Sequence, residues 1–161
     1  MSENKRPFLG LNIIVKNEEK VIKRLLDTVT PIIDYYCIID TGSTDRTKEI
    51  AKEVMDAAGI PGEIHDHEWI NFCAARTFAL EKIEGKCEWA FWIDADEQLI
   101  YDPKFQKESL KANFANMDCV SMEVEYGPQT YFRTQFFRPD FQWKWIGAVH
   151  EVLVPRETAK A

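Results

Sequence analysis

The chain predicts an α/β fold: a mainly parallel, twisted sheet flanked by helices, followed by a smaller mixed antiparallel part at the C-terminal end. Three observations carry that expectation. Short apolar runs alternate with helical patterns three times before residue 94, which is βαβ alternation. The run from Trp89 to Ile93 (WAFWI) is apolar at every position, as suits a central strand covered on both faces. After Asp96 the pattern changes to half-apolar alternation, the mark of strands with one wet face.

The elements follow in order. Phe8 to Val15 (FLGLNIIV) is a β-rich run, and Ile22, Leu25, Leu26 and Val29 then share one helical face until Pro31 closes the helix. Tyr35 to Ile39 is a second buried strand running into DTGSTD. There Ser43, Thr44 and Asp45 suit the start of a helix whose apolar residues are Ile50, Ala51, Val54, Met55 and Ala58, with Gly59 at its end. A short strand around Ile64 leads to HDHEW, and Asn71 caps a third helix with Phe72, Ala75, Ala79 and Ile83 on its apolar face. Beyond the fourth strand, Pro103 to Met117 reads as helical. Cys119 to Tyr126 alternates cleanly, and Thr130 to Arg138 and Trp145 to Val154 are further strands.

Composition sets outer bounds. The 161 residues are 45% hydrophobic and 12% aromatic, enough for one domain with a real core. No apolar run approaches the roughly 20 residues of a membrane span. The opening MSENKRPF lacks the apolar stretch of a signal peptide, so the reading is a soluble cytoplasmic protein. A net charge of −7 argues against a nucleic-acid partner, which a basic face would serve. It leaves room for a small phosphorylated ligand when carboxylates hold a divalent cation beside it. Cys37, Cys73, Cys87 and Cys119 are scattered without a CxxC pair and read as free thiols. His65 and His67 lack a third ligand at zinc spacing and read as structural.

Asp94 and Asp96, in WIDADEQL, are the most informative residues. They follow directly on the most apolar strand, and in open α/β sheets ligands bind beyond the carboxyl ends of the strands. Two acids at i, i+2 there repel each other and resist desolvation, which a cation relieves; oxygen ligands suit Mg²⁺ or Mn²⁺.

Together LNIIVKNEE, IIDTGSTDRT, NFCAARTFAL and WIDADE, each at the expected element, resemble family 2 glycosyltransferases with the GT-A fold. RTQFFRPDFQWKWIGAVHEVL is similar to a segment of the cell-wall-biosynthesis branch of that family. The resemblance implies transfer of a sugar from a nucleoside-diphosphate sugar, a UDP-sugar first among them, to a carbohydrate or other hydroxyl acceptor with inversion. It also implies one glycosyltransferase domain over 1–161, with a nucleotide-binding half, 1–98, and an acceptor-side half, 99–161. The second half is short for this fold, which leaves room for a C-terminal partner domain or self-association over uncovered apolar surface.

The resemblance also assigns residues. Val15, Lys16, Asn17 and Glu18 match the segment lining the nucleoside pocket, and Asp40 an acid that binds base or ribose. Many members carry two successive acids there, whereas this chain has Asp40-Thr41, which leaves the base open. Arg76 matches a cation of the third helix that reaches the nucleotide, and Asp94 an acid at the ribose or sugar. Asp96 is the expected metal ligand, His150 a second one beside the diphosphate, and Glu151 the general base. Trp143 and Trp145 are acceptor-side candidates. The competing readings are a nucleotidyltransferase, whose Gly-rich phosphate loop VKNEEK lacks, and a domain that binds nucleotide sugar without turnover.

Overall fold

The computed structural model describes residues 5–147 and 150–156. A six-stranded sheet in the order β3-β2-β1-β4-β6-β5 divides the molecule. Strands β1 (Leu9–Val15), β2 (Tyr35–Asp40), β3 (Gly62–Asp66) and β4 (Trp89–Phe91) run parallel, while β6 (Gln129–Phe137) lies antiparallel to β4 and to β5 (Cys119–Tyr126). The expected α/β sheet with a mixed C-terminal part is therefore present.

Two apolar layers cover the faces of this sheet. On one, α1 (Ile22–Val29) and α2 (Thr47–Ala58) bring Ile22, Leu25, Leu26, Val29, Ala51 and Met55 against Leu11, Ile13, Ile38 and Phe91. On the other, α3 (Phe72–Ile83) and a separate hairpin, β7 (Trp143–Ile146) with β8 (Val152–Pro155), cover Cys37, Ile39, Ala90 and Phe137. Asn12 is the one polar side chain pointing inward from β1. Its Nδ2 donates to the carbonyl of Ala79 at 2.9 Å, tying strand to helix and satisfying a buried amide.

The helix ends follow the chemistry of their residues. Asn71 Oδ1 accepts the Ala74 N–H at 2.8 Å and caps α3. Gly59, at φ 68°, ends α2 in the left-handed region, and Ile60 N–H closes back on Met55 O at 3.0 Å. At the start of α2 it is Asp45 that takes the Thr47 N–H, at 3.0 Å; Ser43 and Thr44 turn instead to Asn17. No disulfide joins the four cysteines, and Cys37, Cys87 and Cys119 are buried.

Three expected elements come out shorter or divided. Between Pro103 and Met117 only a 3₁₀ turn, Lys107–Ser109, and α4 (Leu110–Phe114) are helical. Only Leu110 and Phe114 of this stretch reach the core, one turn of apolar spacing. Asp102 meanwhile draws the Lys104 N–H into a local turn at 2.7 Å. The β4 ladder ends at Phe91, and Trp92 continues only through its N–H to Gln135 O at 3.0 Å. Trp145 to Val154 is a hairpin rather than one strand, with Gly147 at φ 105° on the way round. Phe72, expected on the apolar face of α3, is 48% exposed. Among the described residues no helix is long and apolar enough to cross a membrane.

Candidate active site

Two hollows open at opposite ends of the parallel strands. The wider, about 800 Å³, lies at the amino ends beside Arg6, Glu88 and Asp140, where Arg6 and Asp140 already neutralise each other at 2.6 Å. The other, about 610 Å³, lies at the carboxyl ends, where α/β sheets bind ligands. It is lined by Val15, Lys16 and Glu18 after β1, Thr41 after β2, and Trp69, Phe72 and Arg76 at the start of α3. Asp94 to Asp96 after β4, together with Glu151, complete it. Of the residues assigned by the resemblance, Val15, Lys16, Glu18, Arg76, Asp94, Asp96 and Glu151 line this cleft, whereas Asn17, Asp40 and His150 are not among its lining residues.

The first wall is built by β1 and the β2–α2 turn. Asn17 takes φ 55°, a conformation asparagine tolerates, and its main-chain N–H donates to Ser43 Oγ at 2.9 Å while its Oδ1 accepts the Thr44 N–H at 2.8 Å. Asn17 thus braces the rim, while Lys16 extends over the Trp69 ring at 5.6 Å. Asp40, 1% exposed, accepts on Oδ1 the N–H groups of Gly42 and Ser43 at 2.9 and 2.7 Å. Its Oδ2 is buried with no partner among the described residues. A buried acceptor left open at a strand end is costly unless something donates to it. Glu18 is half-buried, and burial first, then the charges of Asp96, Asp45 and Asp94, push its carboxyl above the ordinary range.

The opposite wall is cationic and aromatic. Arg76 Nη2 donates to Asp94 Oδ1 at 2.6 Å, and the guanidinium lies 4.7 Å from the Trp92 ring and 4.8 Å from Trp145. From β6, Arg133 approaches the Trp92 ring at 4.3 Å, reaching Asp94 Oδ2 at 3.4 Å and Glu97 Oε2 at 2.6 Å. Such stacked guanidinium contacts are each worth about 2 kcal/mol when shielded from water. Both oxygens of Asp94 are therefore occupied. The Asp96 carboxylate is exposed at the cleft and has no hydrogen bond or ion pair among the described residues.

Trp143 and Trp145 stand elsewhere than expected. Each is 6% exposed and belongs to the core under the β7–β8 hairpin, because Trp92, Phe137 and Leu153 close over them. Trp143 Nε1 donates to Arg138 O at 2.8 Å, and Trp145 meets Trp92 edge-on at 4.9 Å. They offer no open face to an acceptor. His150 is exposed at φ 63°, whereas Glu151 faces the cleft. No group of three His, Cys, Asp or Glu side chains among the described residues is drawn together to hold an ion unaided. An exposed, unpaired Asp96 fits a cation that takes one or two carboxylates and completes its shell with substrate phosphate and water, as Mg²⁺ does.

Residues 11–150 match the model described as Glycosyl transferase family 2. The chain belongs to that family. A relative, the SPbeta prophage-derived glycosyltransferase SunS of Bacillus subtilis (strain 168), is 33% identical over 151 residues, covering 90% of this chain and 34% of SunS. The lipopolysaccharide core biosynthesis glycosyltransferase LpsC of Rhizobium meliloti (strain 1021) is 33% identical over 91 residues, 56% of this chain and 32% of LpsC. The chain thus spans about a third of the length of these curated relatives. Among solved structures, S. aureus TarS 1-349 in complex with UDP superposes with a TM-score of 0.58 at 20% identity, over 76% of this chain and 37% of that one. The mannosyltransferase PcManGT of Pyrobaculum calidifontis, in complex with GDP-Man and Mn²⁺, gives 0.52 at 19% identity, over 61% and 30%. These likenesses show the GT-A fold.

For a family 2 chain, the part of the site that periodicity did not reveal is the Arg133, Glu97 and Trp92 cluster. Glu97 lies next to the acid pair in sequence, but nothing in the spacing of β6 marks Arg133. Only the antiparallel placement of β6 beside β4 brings it to the acids.

Proposed function

We propose that this chain forms the donor-binding catalytic domain of a metal-dependent, inverting glycosyltransferase that moves a sugar from a nucleoside-diphosphate sugar to an acceptor hydroxyl. Residues 1–98 hold the nucleotide and 99–161 contribute to the acceptor side of a single domain. The observation that carries the reading is the cleft itself: an unpaired Asp96, two cations and Glu151 gather at the carboxyl ends of β1, β2 and β4. Support also comes from fold neighbours solved with UDP, with UDP-GlcNAc, and with GDP-Man and Mn²⁺.

Asp96, joined by His150 from the β7–β8 connection, would hold Mn²⁺ or Mg²⁺. When bound, such an ion neutralises charge growing on the departing diphosphate. Lys16 and Arg76 bring positive charge to the same oxygens. Asp40 Oδ2, the buried acceptor without a partner, receives an N–H of the base or a hydroxyl of the ribose. Glu151 takes the proton of the acceptor hydroxyl as its oxygen attacks the anomeric carbon. The bond from that carbon to the diphosphate breaks, and the diphosphate leaves with the electron pair.

Thermal melts with UDP, GDP, dTDP and CDP, each with and without Mn²⁺, test this. A nucleotide at about 100 times its Kd adds roughly 2.7 kcal/mol, a clear rise in Tm. One nucleotide should stabilise the chain only with metal, and Asp96→Ala should abolish the effect. No response to any nucleotide under either metal condition would overturn the reading.

A further inference from the structure

The acid-bearing turn after β4 is held from two sides by residues distant in sequence. Glu97 N–H closes the turn onto Asp94 O at 3.0 Å, and Glu97 Oε2 accepts the Asp94 N–H at 2.9 Å. From α1, Arg24 Nη2 donates to the main-chain oxygen of Asp96 at 2.9 Å. From β6, Arg133 grips both flanking acids, with Nη2 on Glu97 at 2.6 Å and Nη1 toward Asp94 at 3.4 Å, while its guanidinium carbon lies 4.3 Å from the centre of the Trp92 ring. The Arg133 side chain is 18% exposed, so this grip is shielded from the screening that weakens surface pairs.

The Asp96 carboxylate itself has no hydrogen bond or ion pair among the described residues; only its main-chain oxygen is held, by Arg24. Its position relative to an ion is therefore set by the residues on either side of it. A lysine at 133 could keep the charge, but it lacks the planar fork that reaches two carboxylates while stacked on an indole.

We propose that Arg133 is a positioning residue for the divalent cation: by locking Asp94 and Glu97 it holds Asp96 in place to take the ion with the diphosphate. The proposal rests on the cleft being a donor site. Its distinguishing readout is the Mn²⁺ concentration giving half of the UDP-dependent rise in Tm, or that of whichever nucleotide stabilises the native chain. That midpoint is independent of a uniform loss of stability.

The experiment compares the native chain with Arg133→Gln and Arg133→Lys. A positioning role raises the Mn²⁺ midpoint in both variants, about tenfold in Gln and about threefold in Lys, whatever the Tm without ligand. A role in charge balance alone gives the opposite pattern: Gln lowers the midpoint, because a cation has left the neighbourhood of the ion, and Lys leaves it unchanged. That pattern, or an unmoved midpoint in folded variants, overturns the proposal while the donor site stands. If Arg133→Gln does not fold, Arg133→Lys decides alone. Absence of any nucleotide response in the native chain removes the donor site, and this proposal falls with it.

Discussion

The parallel half of the molecule and the mixed half after Asp96 are built on different terms. In the first, β1 and β2 are buried almost throughout, and helices of eight to twelve residues cover them. In the second, α4 has five residues and the β5–β6 hairpin leaves Tyr126, Tyr131 and Phe132 exposed. Much of this half is tied back by individual long-range bonds, such as Lys107 to Asp34 at 2.8 Å and Leu99 N–H to Thr28 Oγ1 at 3.1 Å. The lesson concerns the site. Asp94 and Asp96 are supplied by the first half, and of the two guanidinium groups that hold Asp94, Arg76 comes from the first half and Arg133 from the second.

The contrast can be broken most forcefully at the joint. Phe91 of β4 is fully buried and stacks on Phe136 of β6 at 4.4 Å. Phe91→Ala should cost about 3–5 kcal/mol in urea unfolding, because a large cavity opens where the halves meet. A loss under 1 kcal/mol would mean that the joint is not a shared core.

A smaller effect belongs to the first half. Asn71→Ala removes the cap of α3, which carries Arg76, and should cost about 1 kcal/mol by the same measurement.

The acid limb of stability tests the first half through charge. Lys86 beside Glu63, at 2.8 Å, holds that carboxyl down from its ordinary 4.5 to about 2, with help from His65 and Tyr35 and against the effect of burial. A depressed carboxyl stabilises the fold above its unfolded value and loses that contribution as pH falls from 4.5 toward about 2. Its side chain is 36% exposed, so screening reduces the effect to about 1 kcal/mol or less. Glu63→Gln should therefore be less stable than the native chain at neutral pH, and the gap should close as pH falls through that window. A gap constant with pH would assign the loss to something other than this charge.

The smallest change is expected on the open hairpin. Phe132→Ser, at a side chain 71% exposed, should stay within about 0.5 kcal/mol. A larger loss would show that the hairpin face is covered in solution.

How far the sequence could be read depended on the range of the interaction. Ile22, Leu25, Leu26 and Val29 mark α1 because a helix returns to the same face within four residues. Asn71 marks the start of α3 because capping is completed three residues on. Asp94 and Asp96 could be placed at a strand end because an all-apolar run and its boundary are local features. The stretch from Pro103 to Met117 looked helical because its few apolar residues fit that period. Only packing showed that Leu110 and Phe114 alone are buried deeply enough to hold a turn.

By itself, then, the sequence determined the order of elements in the parallel half, the family and the acids at the end of β4. The tertiary structure alone decided that Trp143 and Trp145 are core, that Asp94 is held between Arg76 and Arg133, and that Asp96 is left free. The physical reason is separation along the chain. Arg76 and Arg133 lie 18 and 39 residues from Asp94, so no local period relates them, and only the folding of α3 and β6 around β4 brings their charges together.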